Sequence, residues 1–312
     1  MISRLVKIPT LPAVLAMAVI ALSLAVACGS AATATPATTV SHSSASDDGI
    51  TPILATTLLR VGSQRIAFLL TTPDSLIKSP EATVTSTYLG EGEAPGEQKI
   101  ASFHLWPYGV RGAYTTELNF ARSGPWQLDI VVERPNGPGR AQLKVDVAEQ
   151  VAIPEIGTIP PFSPSKTVHT VESLSELTTA YTPDPDLYQL TIPEAVISGK
   201  PSVIVFASPA FCTSPTCGPQ VETVSELKDL HQGDANFIHV ELYDNPEAIQ
   251  GDLSKAVLVD LVDQWGFSSI PHWFNESWTF VLGKNGRISQ RFEGFATLEE
   301  LESALQAALG EA

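Results

Sequence analysis

Cys212 and Cys217 stand five positions apart in Phe211-Cys-Thr-Ser-Pro-Thr-Cys-Gly-Pro219. Two thiols so placed could close a disulfide or exchange with one. On a helix, residues five apart point about 140° away from each other and rise about 7.5 Å, so two helical thiols could not bond. Pro215 between them and Gly218-Pro219 after them instead make 212–217 a loop that ends at a helix start. Cys217 is then expected at the N-terminus of a helix over 219–231, where free N–H groups and the macrodipole favour a thiolate. That makes Cys217 the thiol of lower pKa and Cys212 its partner; the reverse, with Cys212 attacking as the more N-terminal thiol, stays open. A purely structural bridge would gain little, because closing so short a loop stabilises by only about 2 kcal/mol in the loop-entropy model.

The elements that must hold the pair read as alternating strands and helices. Ser202-Val-Ile-Val-Phe-Ala207 is a continuous apolar strand, as expected when both faces are covered. Pro219 opens a helix with Val221, Val224, Leu227 and Leu230 on one face. A strand is expected over 236–242, and helical spacing recurs from Leu253 to Trp265 with Val257, Leu258, Leu261 and Val262. Strands over 278–282 and 287–292 flank Asn285-Gly286, a pair that favours a tight hairpin. Thr191 with Glu194, and Thr297 with Glu300, have the spacing of capping boxes that open helices.

The order strand, helix, strand, helix, strand, strand, helix, with a dithiol between the first strand and its helix, resembles a thioredoxin fold. The marks are Gly199-Lys-Pro-Ser-Val-Ile-Val-Phe206 leading into the cysteines, Cys217-Gly-Pro219, and the late Gly286-Arg-Ile-Ser-Gln-Arg-Phe-Glu-Gly294. The resemblance implies thiol–disulfide exchange with Cys217 and Cys212 as reacting groups, Gly218 and Pro219 supporting them, and no cofactor. Three departures stand out. Four residues separate the cysteines rather than two. Phe206 stands where thioredoxins carry a buried acid. The proline that ordinarily faces the dithiol is replaced by Ser277, unless Pro271 serves after a short insertion. Two rival classes follow. One is a scaffold of this fold without redox activity; the other resembles thioredoxin-fold copper chaperones, with Cys212, Cys217 and His272 as a Cu(I) ligand set. Glu276, Tyr243 and His239 read as ordinary surface or packing residues.

The third cysteine belongs elsewhere. Arg4 and Lys7 precede an apolar run from Leu11 to Ala27 that ends in Ala25-Val-Ala-Cys-Gly29. This has the layout of a signal peptide, and it resembles the lipobox of bacterial lipoproteins, which implies cleavage after residue 27 and lipid attachment at Cys28. Its removal takes two cations and no anion from a chain whose net charge is already −16. So acidic a chain argues against nucleic acid as partner. Extracytoplasmic protein thiols and disulfides, and the membrane through the N-terminal lipid, are the partners expected, with the chain on the extracytoplasmic face of a cell membrane.

The expected organisation is two-domain: signal peptide 1–27, flexible stalk 28–50, an immunoglobulin-like β-sandwich over 51–149, a stiff Pro-rich linker over 150–166 that spaces the domains, and an α/β thioredoxin-like domain over 167–312. The sandwich is expected from short alternating strands rich in β-branched and aromatic residues, separated by turns such as Pro135-Asn-Gly-Pro-Gly139. His104 and Trp106 read there as core or edge residues. No zinc spacing, Ca²⁺ loop or phosphate-cradling glycine loop is present in the sequence.

Overall fold

The structure, a computed structural model, describes residues 42–43 (backbone only), 46, 48–107, 109–212, 214–271, 273 and 276–310. The signal peptide, Cys28, His272 and nearly all of the stalk lie outside them.

The N-terminal part is wholly antiparallel. Its strands are β1 (His42–Ser43), β2 (Thr51–Leu54), β3 (Gly62–Thr71), β4 (Glu81–Tyr88), β5 (Gln98–Leu105), β6 (Gly112–Phe120), β7 (Gly124–Val132) and β8 (Gly139–Val147). They pair in the order β1-β8-β7-β4-β5-β6-β3-β2, one continuous sheet curled over one core. Strict alternation builds it: Ala141, Leu143, Val145 and Val147 of β8 are buried while Arg140, Gln142, Lys144 and Asp146 face out. Opposite them Phe68, Tyr114, Leu118 and Phe120 complete the interior, with Phe120 edge-on to Trp126 at 5.2 Å.

The C-terminal part has a four-stranded sheet of β9 (Ser202–Ala207), β10 (Asn236–Glu241), β11 (Trp278–Leu282) and β12 (Ile288–Glu293), ordered β10-β9-β11-β12. β9 and β10 run parallel; β11 is antiparallel to β9 and β12 to β11. The helices are α1 (Ile192–Ile197), α2 (Cys217–Leu230), α3 (Pro246–Ile249), α4 (Leu261–Gln264) and α5 (Leu298–Gly310). All of β9 is buried because both faces are covered. Val203, Val205 and Ala207 meet Val221, Val224 and Leu227 of α2 and Leu301 and Leu305 of α5. Ile204 and Phe206 point the other way, toward Ile192 and Val196 of α1 and toward Val262, Trp265 and Phe267. This strand order, with α2 leaving the end of a central strand, is the thioredoxin-like fold.

Both expected capping boxes form: Thr191 Oγ1 accepts from Glu194 N at 3.4 Å while Glu194 accepts from Thr191 N at 2.8 Å, and Thr297 and Glu300 repeat the exchange at 3.2 and 2.9 Å. Gly286 has φ +73°, and a Cβ there would lie 2.5 Å from Val196 O, so the hairpin needs glycine against α1.

Two expectations are corrected. The helix expected from Leu253 to Trp265 is only a 3-10 turn (Leu253–Lys255) and the single turn α4. The segment between them runs extended beside the end of β10, where Val259 N donates to Leu242 O at 3.0 Å and Asp244 N to Val257 O at 2.7 Å. Val257 and Leu258 are therefore exposed. The proline-rich stretch does not hold the two parts away from each other. Val151 and Ile153 enter the core that contains Phe206, and Gly266 (φ +76°) allows this because a Cβ there would lie 2.5 Å from Ala152 O. Farther on, Gly157 N donates to Ile288 O at 2.7 Å and Ile288 N to Thr158 O at 2.9 Å, so the stretch runs along the free edge of β12. An edge position tolerates proline, which has no N–H to offer a ladder.

The two parts share buried polar contacts. Glu293 accepts from Thr57 N at 2.9 Å and Leu58 N at 3.4 Å, and Arg65 Nε donates to Glu300 at 2.7 Å. Burial pushes the Glu293 carboxyl up to about 7, against the pull of the Thr57 and Leu58 donors and with a smaller push from the charge of Glu276. Folding therefore takes up a proton here: the stability linked to the neutral carboxyl is full below the ordinary carboxylate range and is lost as pH rises through about 7. Buried His239, depressed to about 4, works in the opposite sense over an overlapping range, losing stability as pH falls. The comparison of wild type with Glu293→Gln isolates the first effect. Urea midpoints at pH 5 and pH 8 should show the wild type losing roughly 3 kcal/mol more than the variant across that interval.

Candidate functional site

α2 begins at Cys217 itself, two residues earlier than the proline suggests, and its first turn includes Gly218 and Pro219. The loop 208–216 leaves β9 and brings Cys212 back to this turn, with a Cα–Cα distance of 5.9 Å to Cys217, and the two are disulfide-bonded. Proline at the third helical position costs nothing, since first-turn N–H groups lack intrahelical acceptors. Pro219 is buried and Gly218 half-buried; a Cβ at Gly218 would meet only Pro209 O at 3.6 Å, so space does not demand glycine there.

The two sulfurs differ in access. Cys217 is 0% exposed and packs with Val205, Val221 and Leu301 in the core beneath α2 and α5. Cys212 is half-buried and lies at the margin of that core. Phe211, just before it, meets the Tyr243 ring edge-on at 6.2 Å. Behind the loop, Glu241 closes β10 as a buried carboxylate that accepts from Thr179 N and Thr179 Oγ1, both at 2.8 Å. Burial pushes its carboxyl up against these donors. Thr179 Oγ1 in turn accepts from Ala210 N at 3.1 Å, which ties the cysteine loop to β10.

Glu276, read from the sequence as an ordinary surface or packing residue, lies beside the disulfide. One of its carboxylate oxygens and both sulfurs lie within 4.8 Å of one another. Its Oε1 accepts from Ser214 Oγ and Thr216 Oγ1, each at 2.7 Å, and from Ser277 N at 3.3 Å. Ser214 Oγ also lies 3.6 Å from Cys212 Sγ. Its adjacency to Ser277, the position marked as facing the dithiol, was the available signal. Ser277 itself is fully buried just before β11, and its hydroxyl has no hydrogen-bond partner among the described residues. The place that a buried acid would take on β9 is filled by Phe206, packed on Trp265 at 4.6 Å and Phe267 at 5.1 Å.

His239, fully buried, is a packing residue: its Nε2 meets Ala207 O at 3.0 Å and its Nδ1 the Tyr188 hydroxyl at 2.6 Å. With the carbonyl taking the Nε2 proton, Tyr188 donates to Nδ1, and the ring is a neutral tautomer. Once reduced, Cys212, Cys217 and Glu276 offer two thiolates and a carboxylate, donor types that suit zinc better than copper(I). Trp106 is not merely an edge residue. With Leu69, Val110 and Arg111 it forms one wall of a cleft of about 460 Å³ whose other wall is Ser214, Pro215 and Glu276. The N-terminal sheet thus borders the cysteine loop.

No family model and no curated protein matches the chain. Two solved structures are similar to part of it. One is a thiol:disulfide interchange protein of the thioredoxin family from Chlorobium tepidum TLS, 11% identical, with a TM-score of 0.30; the match covers 45% of this chain and 100% of that one. The other is a thioredoxin-like protein solved in solution in its oxidised form, 20% identical, with a TM-score of 0.29; it covers 45% of this chain and 98% of that one.

Proposed function

We propose that the chain is a thiol–disulfide oxidoreductase whose redox centre is the Cys212/Cys217 pair. The observation that carries this is the placement of a disulfide at the first turn of α2, with Cys212 half-buried and Cys217 fully buried. An attacking thiolate must approach in line with the S–S bond, so the half-buried Cys212 is the sulfur that meets a partner. This reverses the assignment that helix position alone favours. A substrate thiolate attacks Cys212 Sγ, the bond to Cys217 breaks, and Cys217 leaves as a thiolate beside the helix N-terminus, whose dipole stabilises it. A second substrate thiolate then attacks the mixed disulfide, releasing Cys212 as a thiolate and leaving the substrate oxidised. Run backward, the same steps reduce a substrate disulfide. None of them calls for a cofactor.

Partners are extracytoplasmic protein thiols and disulfides, and the chain is held to the membrane by lipid on Cys28. Support for the anchor is the sequence Ala25-Val-Ala-Cys-Gly29 behind an apolar run. Among the described residues no helix is long and apolar enough to cross a membrane. The N-terminal part is read as an immunoglobulin-like sandwich; support comes from its short antiparallel strands, which alternate buried and exposed residues around one core. Reduction of insulin disulfides by dithiothreitol tests the activity. The protein should shorten the lag before insulin precipitates, and Cys212→Ala should restore the uncatalysed lag. An unchanged lag with the intact protein would contradict the activity.

A further inference from the structure

Residues two apart in a strand share a face, so Arg65, Ala67, Leu69 and Thr71 of β3 point away from the interior that Ile66, Phe68 and Leu70 fill. The C-terminal part covers the start of this outer face. Arg65 Nε donates to Glu300 at 2.7 Å and its guanidinium lies 5.7 Å from the Phe292 ring centre, while Thr115 Oγ1 of neighbouring β6 donates to Glu300 at 3.2 Å. The far end stays open although it is apolar. Leu69, Leu76 and Trp106 are half-buried there, and Val110 is 72% exposed. They wall the cleft whose opposite side is Ser214, Pro215 and Glu276 of the C-terminal part. We propose that this cleft is the substrate groove of the dithiol. It receives an extended segment of a partner polypeptide that carries a large apolar and an acidic side chain next to its reactive cysteine. This rests on the oxidoreductase reading above and deepens it: the N-terminal sheet selects the thiols and disulfides that reach Cys212.

Position, size and charge together define the occupant. Ser214, in the wall of the cleft, holds its Oγ 3.6 Å from Cys212 Sγ, so a chain lying there brings its own sulfur to the half-buried member of the pair. Apolar side chains left uncovered in one contiguous patch mark a surface that gains by being covered, and a large apolar side chain does this where a small polar thiol would leave the Trp106 wall wet. The cleft holds about 460 Å³, room for a few side chains of an extended segment and too little for a folded surface. Arg111 stands exposed at the apolar wall, and among the described residues no carboxylate forms an ion pair with it. That cation complements an acidic side chain on the segment. Across the cleft the Glu276 carboxylate is already engaged by Ser214 and Thr216, each at 2.7 Å, and so braces the cysteine loop.

The test uses the full chain with Cys28→Ala, reduced, and short peptides whose single cysteine is bonded to thionitrobenzoate. One peptide has Phe before and Glu after the cysteine; the other has Ser at both places. The Cys212 thiolate attacks the peptide sulfur, the bond to thionitrobenzoate breaks, and thionitrobenzoate leaves as the coloured thiolate, read in a stopped-flow instrument. The Phe/Glu peptide should react about 10-fold faster, the gain that partial burial of one aromatic side chain supplies. Trp106→Ala should bring the two rates together. Val110→Asp, a change at an exposed position, should do the same while leaving the rate of the Ser peptide unchanged, and it decides the matter alone if Trp106→Ala does not fold. Arg111→Glu should favour a peptide with Lys in place of Glu by about threefold, reversing the wild-type order. Equal rates for the two peptides in the wild type overturn the proposal and leave the oxidoreductase reading standing. A preference that survives in Val110→Asp and in a folded Trp106→Ala also overturns it. So does a faster reaction with the thionitrobenzoate mixed disulfide of glutathione than with either peptide, which would assign the cleft to a small thiol. If neither peptide reacts, the proposal and the oxidoreductase reading fall together.

Discussion

Cys217→Ser is expected to accumulate mixed disulfides with partner proteins, and Cys212→Ser to accumulate none. The reason is access. In the single-cysteine Cys217→Ser protein the remaining sulfur is the half-buried one, which can attack a partner disulfide, and no second thiol is left to release the product. In Cys212→Ser the remaining sulfur is enclosed by Val205, Val221 and Leu301 and cannot meet a partner without local unfolding. The effect is close to all-or-none. Non-reducing electrophoresis of whole extracts of cells making each variant reads it out, with Cys28→Ala forms excluding adducts of the third cysteine. Adducts formed by Cys212→Ser alone would reverse the roles of the two sulfurs.

Phe206→Asp is expected to unfold the protein rather than supply the acid that β9 lacks. The ring sits within 4.6 Å of Trp265, 5.1 Å of Phe267 and 6.0 Å of Phe280, centroid to centroid, and is 0% exposed. Losing a buried aromatic side chain costs about 3–5 kcal/mol. An unpaired carboxylate in the same apolar pocket adds several more, less whatever it recovers by binding a proton. The sum rivals the roughly 5–15 kcal/mol that holds a typical domain folded. Phe206→Leu, which keeps an apolar filling, should lose only part of the aromatic share and remain folded. Thermal and urea melts distinguish the two. A folded, active Phe206→Asp would mean that this face of β9 is far less tightly packed than the ring cluster implies.

What was legible in the sequence was local. The unbroken apolar run of β9, the capping boxes at Thr191 and Thr297 and the Asn285-Gly286 hairpin each act over a few residues, and each forms as read. Together they are enough to order the thioredoxin-like part and to bring Cys212 and Cys217 to one helix start. The failures share a cause in long-range contacts. Val257, Leu258, Leu261 and Val262 have helical spacing, but the backbone at 257–259 is claimed by Leu242 to Asn245, which no periodicity announces. Proline content suggested a spacer at 150–166, whereas Ile153 finds a core and Ile288 an edge partner. The contact of Thr57 with Glu293 joins residues 236 apart, and that of Ser214 with Glu276 residues 62 apart. Glu276 carries no motif, so its chemistry becomes visible only when the loop before β11 is folded onto the cysteines. The relative access of the two sulfurs is likewise a property of packing against α5, far along the chain.

The most direct test of the central claim, that this disulfide is a working redox pair and not a staple, is its reduction potential. It is obtained by equilibrating the protein with glutathione or dithiothreitol buffers and alkylating the free thiols. A partly accessible bond whose leaving thiolate is stabilised by a helix N-terminus should fall within the span of known exchange catalysts, about −120 to −270 mV. A potential below about −300 mV, the range of structural disulfides in secreted proteins, would contradict it.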